Sequence, residues 1–233
     1  MSHTPMSGAG AGRQFGAGPL SRVSAMVYAL LVVEGLFAVT TVPGLVLLVL
    51  LDHDASNIPL AALCALPVGP ALSAALYAVR VHRPDLSDLR PAPAFWRGYQ
   101  INLLGVLRIW APLLAWLTII AVILTHPAAA GVPGWWTALL WLIAGVAALW
   151  GVNAVVITSL FAFRTRDVAR LAAYFLVRTR GVTLSNACLL IVAAGVTVFF
   201  SEAVLALLGS LLAWALVQSC GPMIIKVQKE FTA

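Results

Sequence analysis

Charged side chains are scarce in this chain, which has 8 acidic and 14 basic residues among 233, or 9% charged residues in total. A soluble domain of ordinary composition carries about 25% charged residues, with which it coats its surface. The mean hydropathy is +1.00, and a surface this apolar is stable only in lipid. The scarcity of charge therefore excludes a soluble globular protein and predicts an integral membrane protein.

Cysteine is scarce as well, and its distribution excludes the sites that cysteine usually builds. The three cysteines, Cys64, Cys188 and Cys220, each fall inside an apolar stretch, and none has the spacing of a metal ligand. An odd number of cysteines buried in lipid argues against a disulfide framework. We therefore interpret them as small apolar side chains of the core.

The sequence also lacks the groups that catalysis and cofactor binding require. His53, His82 and His126 are scattered over different loops, and no nucleophile is accompanied by a base. There is no glycine-rich loop of the kind that holds phosphate. We therefore predict no catalytic residue, no metal and no cofactor, and we do not expect an enzyme.

The isoelectric point of about 9.8 raises the question of a nucleic-acid partner. In proteins that bind nucleic acid, basic residues cluster on one face and alternate with exposed aromatic residues. The basic residues of this chain instead flank apolar stretches. We therefore predict no nucleic-acid partner. The surplus of positive charge is better explained as a topology signal and as contact with anionic lipid head groups.

The long apolar stretches predict an all-α, polytopic transmembrane bundle of about six spans. A tail rich in glycine and alanine, residues 1–22, is expected to be disordered, and residues 23–233 form a single transmembrane domain. Apolar residues at helical spacing predict an amphipathic helix over about 165–177, lying at the lipid head groups. The six spans are expected at about 23–51, 58–81, 101–125, 135–163, 182–200 and 205–225.

The breaks between and within these spans follow from the polar and proline residues. A polar loop is expected from Arg80 to Tyr99, because it holds arginines and three prolines. Pro43 predicts a kink in the first span, and Pro67 predicts a bend in the second, because proline removes a backbone donor.

The distribution of basic residues gives the orientation of the bundle. Every arginine and lysine except Arg108 falls in the N-terminal tail, the second loop, the fourth loop or the C-terminal segment. The positive-inside rule then places both termini in the cytoplasm. The preference for arginine over lysine is compatible with a GC-rich bacterial source. The short turn at Ser201 and Glu202 leaves open whether spans five and six both cross fully.

Four polar residues inside the spans form a candidate intramembrane polar site: Glu34, Arg108, Asn153 and Gln218. A carboxylate near the bilayer centre costs about 2.5 kcal/mol or more, so it is usually paired or lines a cavity. One hypothesis is that Glu34 pairs with Arg108 or shares a cavity with it. The alternative is that the membrane accommodates the two residues separately. Glu34 is then protonated, and the Arg108 side chain snorkels to the surface. Asparagines within spans, including Asn102 and Asn153, more often join helices by hydrogen bonds.

A second group of residues is expected on the cytoplasmic side, as a surface for a partner or for lipid head groups. It combines an aromatic-basic stretch in the second loop with the arginines of the fourth loop. Its members are Phe95, Trp96, Arg97, Arg164, Arg166, Arg170, Arg178 and Arg180.

Two stretches resemble the YesL family of small bacterial integral membrane proteins, whose biochemical function is unassigned. They are Leu-Pro-Val-Gly-Pro-Ala-Leu-Ser-Ala-Ala-Leu-Tyr at 66–77 and Phe-Trp-Arg-Gly-Tyr-Gln-Ile-Asn-Leu at 95–103. The family often has lysines in its second motif where this chain has Gly98 and Gln100. The resemblance implies a multi-pass protein of the bacterial cytoplasmic (inner) membrane. It also implies an association with carbohydrate-uptake genes near sugar permeases of the ATP-binding-cassette type. It carries no catalytic residues.

Three interpretations follow. In the first, the chain is an accessory subunit of an ATP-binding-cassette carbohydrate importer and its partners are the permease subunits. It lacks the Glu-Ala-Ala loop of ordinary sugar permeases, which counts against its being a core permease. In the second, it is a small stand-alone or oligomeric transporter or channel with a midplane site near Glu34. In the third, it is a membrane scaffold that binds anionic lipid.

Overall fold

The structure, a computed structural model, describes residues 19–52, 54–81, 90–126 and 133–231. Within these ranges all regular structure is helical and no strand is present, which confirms the predicted all-α bundle. A single 3-10 turn, Ala55–Asn57, precedes α2. The helices are α1 Pro19–Val49, α2 Ile58–Cys64, α3 Val68–Val81, α4 Pro91–Thr125, α5 Gly134–Leu160, α6 Thr165–Arg178, α7 Arg180–Phe199, α8 Glu202–Ala206, α9 Gly209–Ser219 and α10 Gly221–Phe231.

Some residues used in the sequence analysis lie outside the described ranges. They are residues 1–18 of the tail, His53, and residues 82–89 of the predicted polar loop, which include His82, Arg83 and Pro84. Residues 19–22, which were predicted as the end of a disordered tail, instead form the first turn of α1.

Five segments of the described chain are long and apolar enough to cross a bilayer, and a sixth is bent. In these five, only 11% to 39% of the most apolar window is buried inside the protein, so most side chains are left to face lipid. The sixth combines Gly209–Ser219 with Gly221–Glu230, two helices that meet at an angle of 55°. The five are Arg22–Val49, Ala55–Val81, Pro91–Thr125, Gly134–Leu160 and Arg180–Phe199.

Helix α4 begins at Pro91, so the stretch predicted as the end of a polar loop is helical. Proline suits the first turn of a helix, where its missing N–H would have no partner. Phe95 is fully buried, and a Cβ atom added at Gly98 would lie 2.8 Å from Tyr77 Cβ, so this turn packs closely on α3. At 35 residues, α4 is about 52 Å long and exceeds the ~30 Å hydrocarbon core. Part of it therefore extends beyond the membrane.

Of the two predicted bends, only that near Pro67 interrupts a helix. Residues 65–67 separate α2 from α3, whereas α1 continues through Pro43. The break is packed from both sides. A Cβ at Gly44 would overlap the Cys64 carbonyl, and one at Gly69 would lie 2.5 Å from the Trp110 ring. Both glycines thus permit a close approach that any side chain would prevent.

The amphipathic helix expected over 165–177 is present as α6. Its apolar face packs against the protein instead of the membrane. Val168, Leu171 and Phe175 are buried in the same cluster as residues of α3 and α5. The Trp150 indole N–H of α5 donates to the Ala169 carbonyl at 3.1 Å. The apolar stripe is therefore satisfied by the protein itself, because α5 offers a matching apolar surface.

The predicted sixth span, 205–225, is interrupted twice. Residues 207–208 separate α8 from α9, and Cys220 separates α9 from α10. Proline at 222 cannot supply the N–H that would continue α9 into α10. Helix α10 is amphipathic, and Met223, Ile224 and Val227 are buried in the main core cluster.

Successive spans run in opposite directions, so the arginine-rich ends meet at one end of the bundle. This basic end comprises the C-terminal turn of α3, the start of α4, α6, the start of α7 and α10. It is the end predicted to be cytoplasmic.

Candidate functional site

A central cavity of about 490 Å³ lies between the described helices of the bundle. Every long helix contributes to its wall, and so do α3, α8 and α9. The wall is almost entirely hydrocarbon. Representative lining residues, one from each of six helices, are Phe37, Leu72, Leu113, Val155, Ala193 and Leu212.

The few polar groups in the cavity wall are mostly engaged elsewhere. The Thr41 hydroxyl donates to the Phe37 carbonyl of its own helix at 2.8 Å, and the Trp110 indole N–H donates to the Ala65 carbonyl at 3.1 Å. Two residues mark the ends of the cavity: Asn186 lies toward the basic end, and Glu202 lies at the opposite end. The stretch of α7 from Asn186 to Thr197 is about 16 Å long, so the cavity is elongated along the bundle axis.

Asn186 belongs to a buried polar cluster that joins three helical elements. Its amide N–H donates to Asn153 Oδ1 at 3.1 Å and lies 3.5 Å from Cys220 Sγ. Asn153 and Asn186 are each only 1% exposed. The Asn153 Nδ2 group has no partner among the described residues. The cluster therefore ties α5 and α7 to the α9–α10 junction and leaves one buried donor unsatisfied.

Glu34 lies beside the break between α8 and α9. Its Oε2 atom accepts a hydrogen bond of 2.7 Å from the backbone N–H of Ser210, in the first turn of α9. Its Oε1 atom is buried and has no partner among the described residues. The N-terminus of a helix has free N–H groups and a positive end of its dipole, both of which favour a carboxylate. Glu34 thus supplies the cap that no residue of α9 provides.

Of the two hypotheses for Glu34 and Arg108, the pairing is wrong. Glu34 binds the α9 backbone instead, and Arg108 is exposed on α4. The carboxylate finds a nearer partner because the broken last span brings a free backbone N–H next to α1. The second hypothesis, two separate local arrangements, agrees with Arg108 at the protein surface.

The other members of the candidate polar site also lie apart. Asn153 belongs to the asparagine cluster. Gln218 is exposed and lines a second cavity, of about 340 Å³, together with Arg80 and Trp214. The four predicted residues therefore do not form one site.

Asn102 joins helices, as its position in a span predicted. Its Nδ2 group donates to the Ser159 carbonyl at 3.0 Å, in the last turn of α5, where carbonyls lack intrahelical partners. The Ser159 hydroxyl lies 2.8 Å from the Ser73 hydroxyl of α3. These contacts hold α3, α4 and α5 together at the basic end.

The predicted docking surface is reduced by one residue. Phe95 is fully buried against α3 and cannot contact a partner, whereas Trp96 is 43% exposed. Arg97 is exposed beside it, as are all five predicted arginines of the α6 region: Arg164, Arg166, Arg170, Arg178 and Arg180.

Sequence reasoning missed the cavity itself, the Ser210 backbone partner and the role of Trp110 at the break in span two. The signal for the cavity was weak, because apolar residues that face a cavity and those that face lipid look alike. The signal for the break was Pro67 followed by Gly69 and Pro70.

No family model, no curated protein and no solved structure gives a significant match to the chain. The YesL resemblance and the functions that it implies therefore stay predictions.

Proposed function

We propose that the chain is a multi-pass protein of the bacterial inner membrane that binds a lipophilic molecule in its central cavity. The observation that carries this proposal is the cavity of about 490 Å³. Sites for small molecules and cofactors commonly measure about 300–1,000 Å³ and are lined mainly by apolar side chains. The size and the lining both fall within that class.

The chemistry of the wall selects the class of ligand. A sugar or another polyhydroxy compound would give up hydrogen bonds to water and would find few free partners in this wall, which is unfavourable. An elongated hydrocarbon chain would fit a cavity that extends over about 16 Å of α7. The ligand is therefore an acyl or isoprenoid chain or a molecule of similar character.

The helix breaks support a version in which the protein moves its ligand. The break at residues 65–67 and the break at 207–208 both adjoin the cavity. Carriers often place their sites at such discontinuous helices. In this version α8 and α9 form the moving element, and Glu34 holds their junction in the state described here. This retains the transporter interpretation but assigns it an apolar ligand.

Photolabelling tests the proposal. The full-length protein is reconstituted in vesicles with a diazirine-bearing fatty acid, irradiated, digested and analysed by mass spectrometry. We expect labels on cavity residues such as Leu113 and Val155 in addition to labels on lipid-facing residues. Labelling confined to lipid-facing residues would overturn the proposal.

Two neighbouring alanines provide a matched pair of variants. Ala193 lines the cavity, whereas Ala194, the next residue of α7, is exposed. Ala193→Trp should fill the cavity and abolish the internal labels, and Ala194→Trp should leave them unchanged. Equal labelling in the two variants would show that the internal labels do not report cavity binding.

A second candidate function is the accessory subunit of an ATP-binding-cassette carbohydrate importer, which the YesL resemblance implies. The observation that favours it is the amphipathic character of α6. Its apolar face is buried and its arginines are exposed, so it presents a fixed row of charges at the basic end. Exposed Trp96 lies beside Arg97 on the same end of the bundle.

Purification in mild detergent from the native host, grown on several carbon sources, tests this second function. Permease subunits and their ATPase should copurify in near-stoichiometric amounts. Arg166→Gln with Arg170→Gln should release them without unfolding the protein, whereas Arg108→Gln on α4 should not. Recovery of the protein alone under every condition would contradict the accessory role.

A further inference from the structure

The second cavity, of about 340 Å³, lies at the basic end of the bundle and differs in character from the central one. It is formed between α1, the end of α3, the start of α4 and α9. Its lining shares no residue with that of the central cavity. The residues on which its character depends are Met26, Leu30, Arg80, Trp214, Val217 and Gln218.

This second cavity is amphipathic along its length. Met26, Leu30 and Val217 form an apolar wall, whereas Arg80 and Gln218 are exposed at its mouth. Arg80 is in the last turn of α3, and among the residues that the structure describes no acidic one is part of the lining. The cavity therefore combines a hydrocarbon interior with a cationic opening.

Two further residues suit the same arrangement. Arg22 precedes Met26 by one helical turn and lies on the same face of α1, so it adds a second positive charge near the opening. Trp214 forms part of the wall and adds aromatic surface to it.

We propose that this cavity holds a phospholipid with an anionic head group, taken from the leaflet at the basic end. One acyl chain lies along Met26, Leu30 and Val217, and the phosphate lies against Arg80 with Gln218 as a hydrogen-bond donor. Basic pockets between membrane helices are suited to anionic head groups, because two complementary surfaces meet there. Charge complementarity selects this occupant over a zwitterionic lipid, and the apolar wall selects it over a free anion. The site is independent of the central cavity and of the ligand proposed there.

Native mass spectrometry of the full-length protein tests the proposal. Delipidated protein in mild detergent is titrated with phosphatidylglycerol and, separately, with phosphatidylcholine of the same acyl chains. We expect one tightly held phosphatidylglycerol and weaker, unsaturable binding of phosphatidylcholine. Arg80→Gln should weaken the phosphatidylglycerol by about fivefold, whereas Arg178→Gln, on α6, should not.

A matched pair on α1 separates cavity binding from general charge attraction. Leu30 lines the cavity, whereas Leu31 is exposed. Leu30→Trp should remove the tightly held lipid and Leu31→Trp should retain it, with thermal unfolding as the check that both variants fold. Equal affinity for the two lipids, equal effects of the two arginine changes, or equal binding of soluble glycerol phosphate would each overturn the proposal.

Discussion

The continuous helices of this protein differ from its interrupted spans in the hydrogen bonds that their residues make. Helices α1, α4 and α7 run without interruption, whereas the second span is broken between α2 and α3 and the last between α8, α9 and α10. Each interruption leaves backbone groups without helical partners. In a bilayer such groups have no water to bind, so other parts of the protein must satisfy them.

At each of the three interruptions, a side chain from a continuous helix lies in contact. Trp110 of α4 donates to the Ala65 carbonyl in span two. Glu34 of α1 accepts from the Ser210 N–H at the start of α9. Asn186 of α7 lies 3.5 Å from the sulfur of Cys220, which is the residue between α9 and α10. The comparison teaches that intact helices place a polar side chain at each of these three interruptions, and that two of these contacts, those of Trp110 and Glu34, are with backbone groups.

The largest loss of stability is expected for Glu34→Ala, which tests the contact between α1 and the interrupted last span. It removes the acceptor of the Ser210 N–H and leaves a buried donor unsatisfied, which costs about 1–3 kcal/mol. We expect a loss of about 3 kcal/mol in the free energy of unfolding, measured by denaturant titration in mild detergent.

Glu34→Gln is the matched control for that change. The amide keeps an acceptor oxygen at the same distance, so most of the stability should return. If the alanine and glutamine variants were equally stable, the hydrogen bond to α9 would have no role in holding the last span.

Close packing at the same junction gives the second test. A Cβ at Gly209 would lie 2.5 Å from ring carbons of Phe37, whereas one at Gly195 would meet nothing within 4 Å. Gly209→Ala should therefore cost about 2 kcal/mol through overpacking. Gly195→Ala should cost nothing, and it gains up to about 1 kcal/mol of helix propensity. Thermal unfolding of the two variants measures the contrast, and a similar effect in both would remove the case for tight packing of α1 on α9.

The break in span two gives the third test. Trp110→Phe keeps most of the aromatic surface against Gly69 but removes the donor to the Ala65 carbonyl, so we expect a loss of about 1 kcal/mol. Trp116 lies on the same helix and its side chain is 54% exposed. Trp116→Phe should therefore change stability by less than about 0.5 kcal/mol. Both values come from unfolding in mild detergent. Equal losses would mean that the indole N–H does not hold the break.

The sequence supports a correct prediction of the helical membrane bundle, because apolar length and charge scarcity are properties of the chain itself. The break near Pro67 was also predictable, since proline removes a backbone donor. The same reasoning predicted a kink at Pro43, where the helix is not interrupted. The break near Pro67 also has a tertiary contact, because the Trp110 indole N–H donates to the Ala65 carbonyl, which accepts from the Val68 N–H as well.

The candidate site was less predictable than the fold. An intramembrane carboxylate and an arginine at similar depth suggested an ion pair, but the partner of Glu34 is a backbone N–H. Every residue has such a group, so no side-chain pattern reveals which one will be free. Phe95 and the apolar face of α6 were misplaced for a related reason, since an apolar residue near a membrane surface gives no sign of whether lipid or protein covers it.

The smallest effect is expected where continuous helices meet each other at the basic end. Asn102→Ala removes the donor to the Ser159 carbonyl, a bond between α4 and the last turn of α5. Polar contacts between membrane helices contribute about 0.6 kcal/mol on average, so we expect a cost of about that size here. Unfolding measurements on Asn102→Ala and Glu34→Ala under identical conditions give the ratio. If Asn102→Ala lowered the free energy of unfolding as much as Glu34→Ala, the strength of a polar contact would not depend on whether it supports an interrupted span.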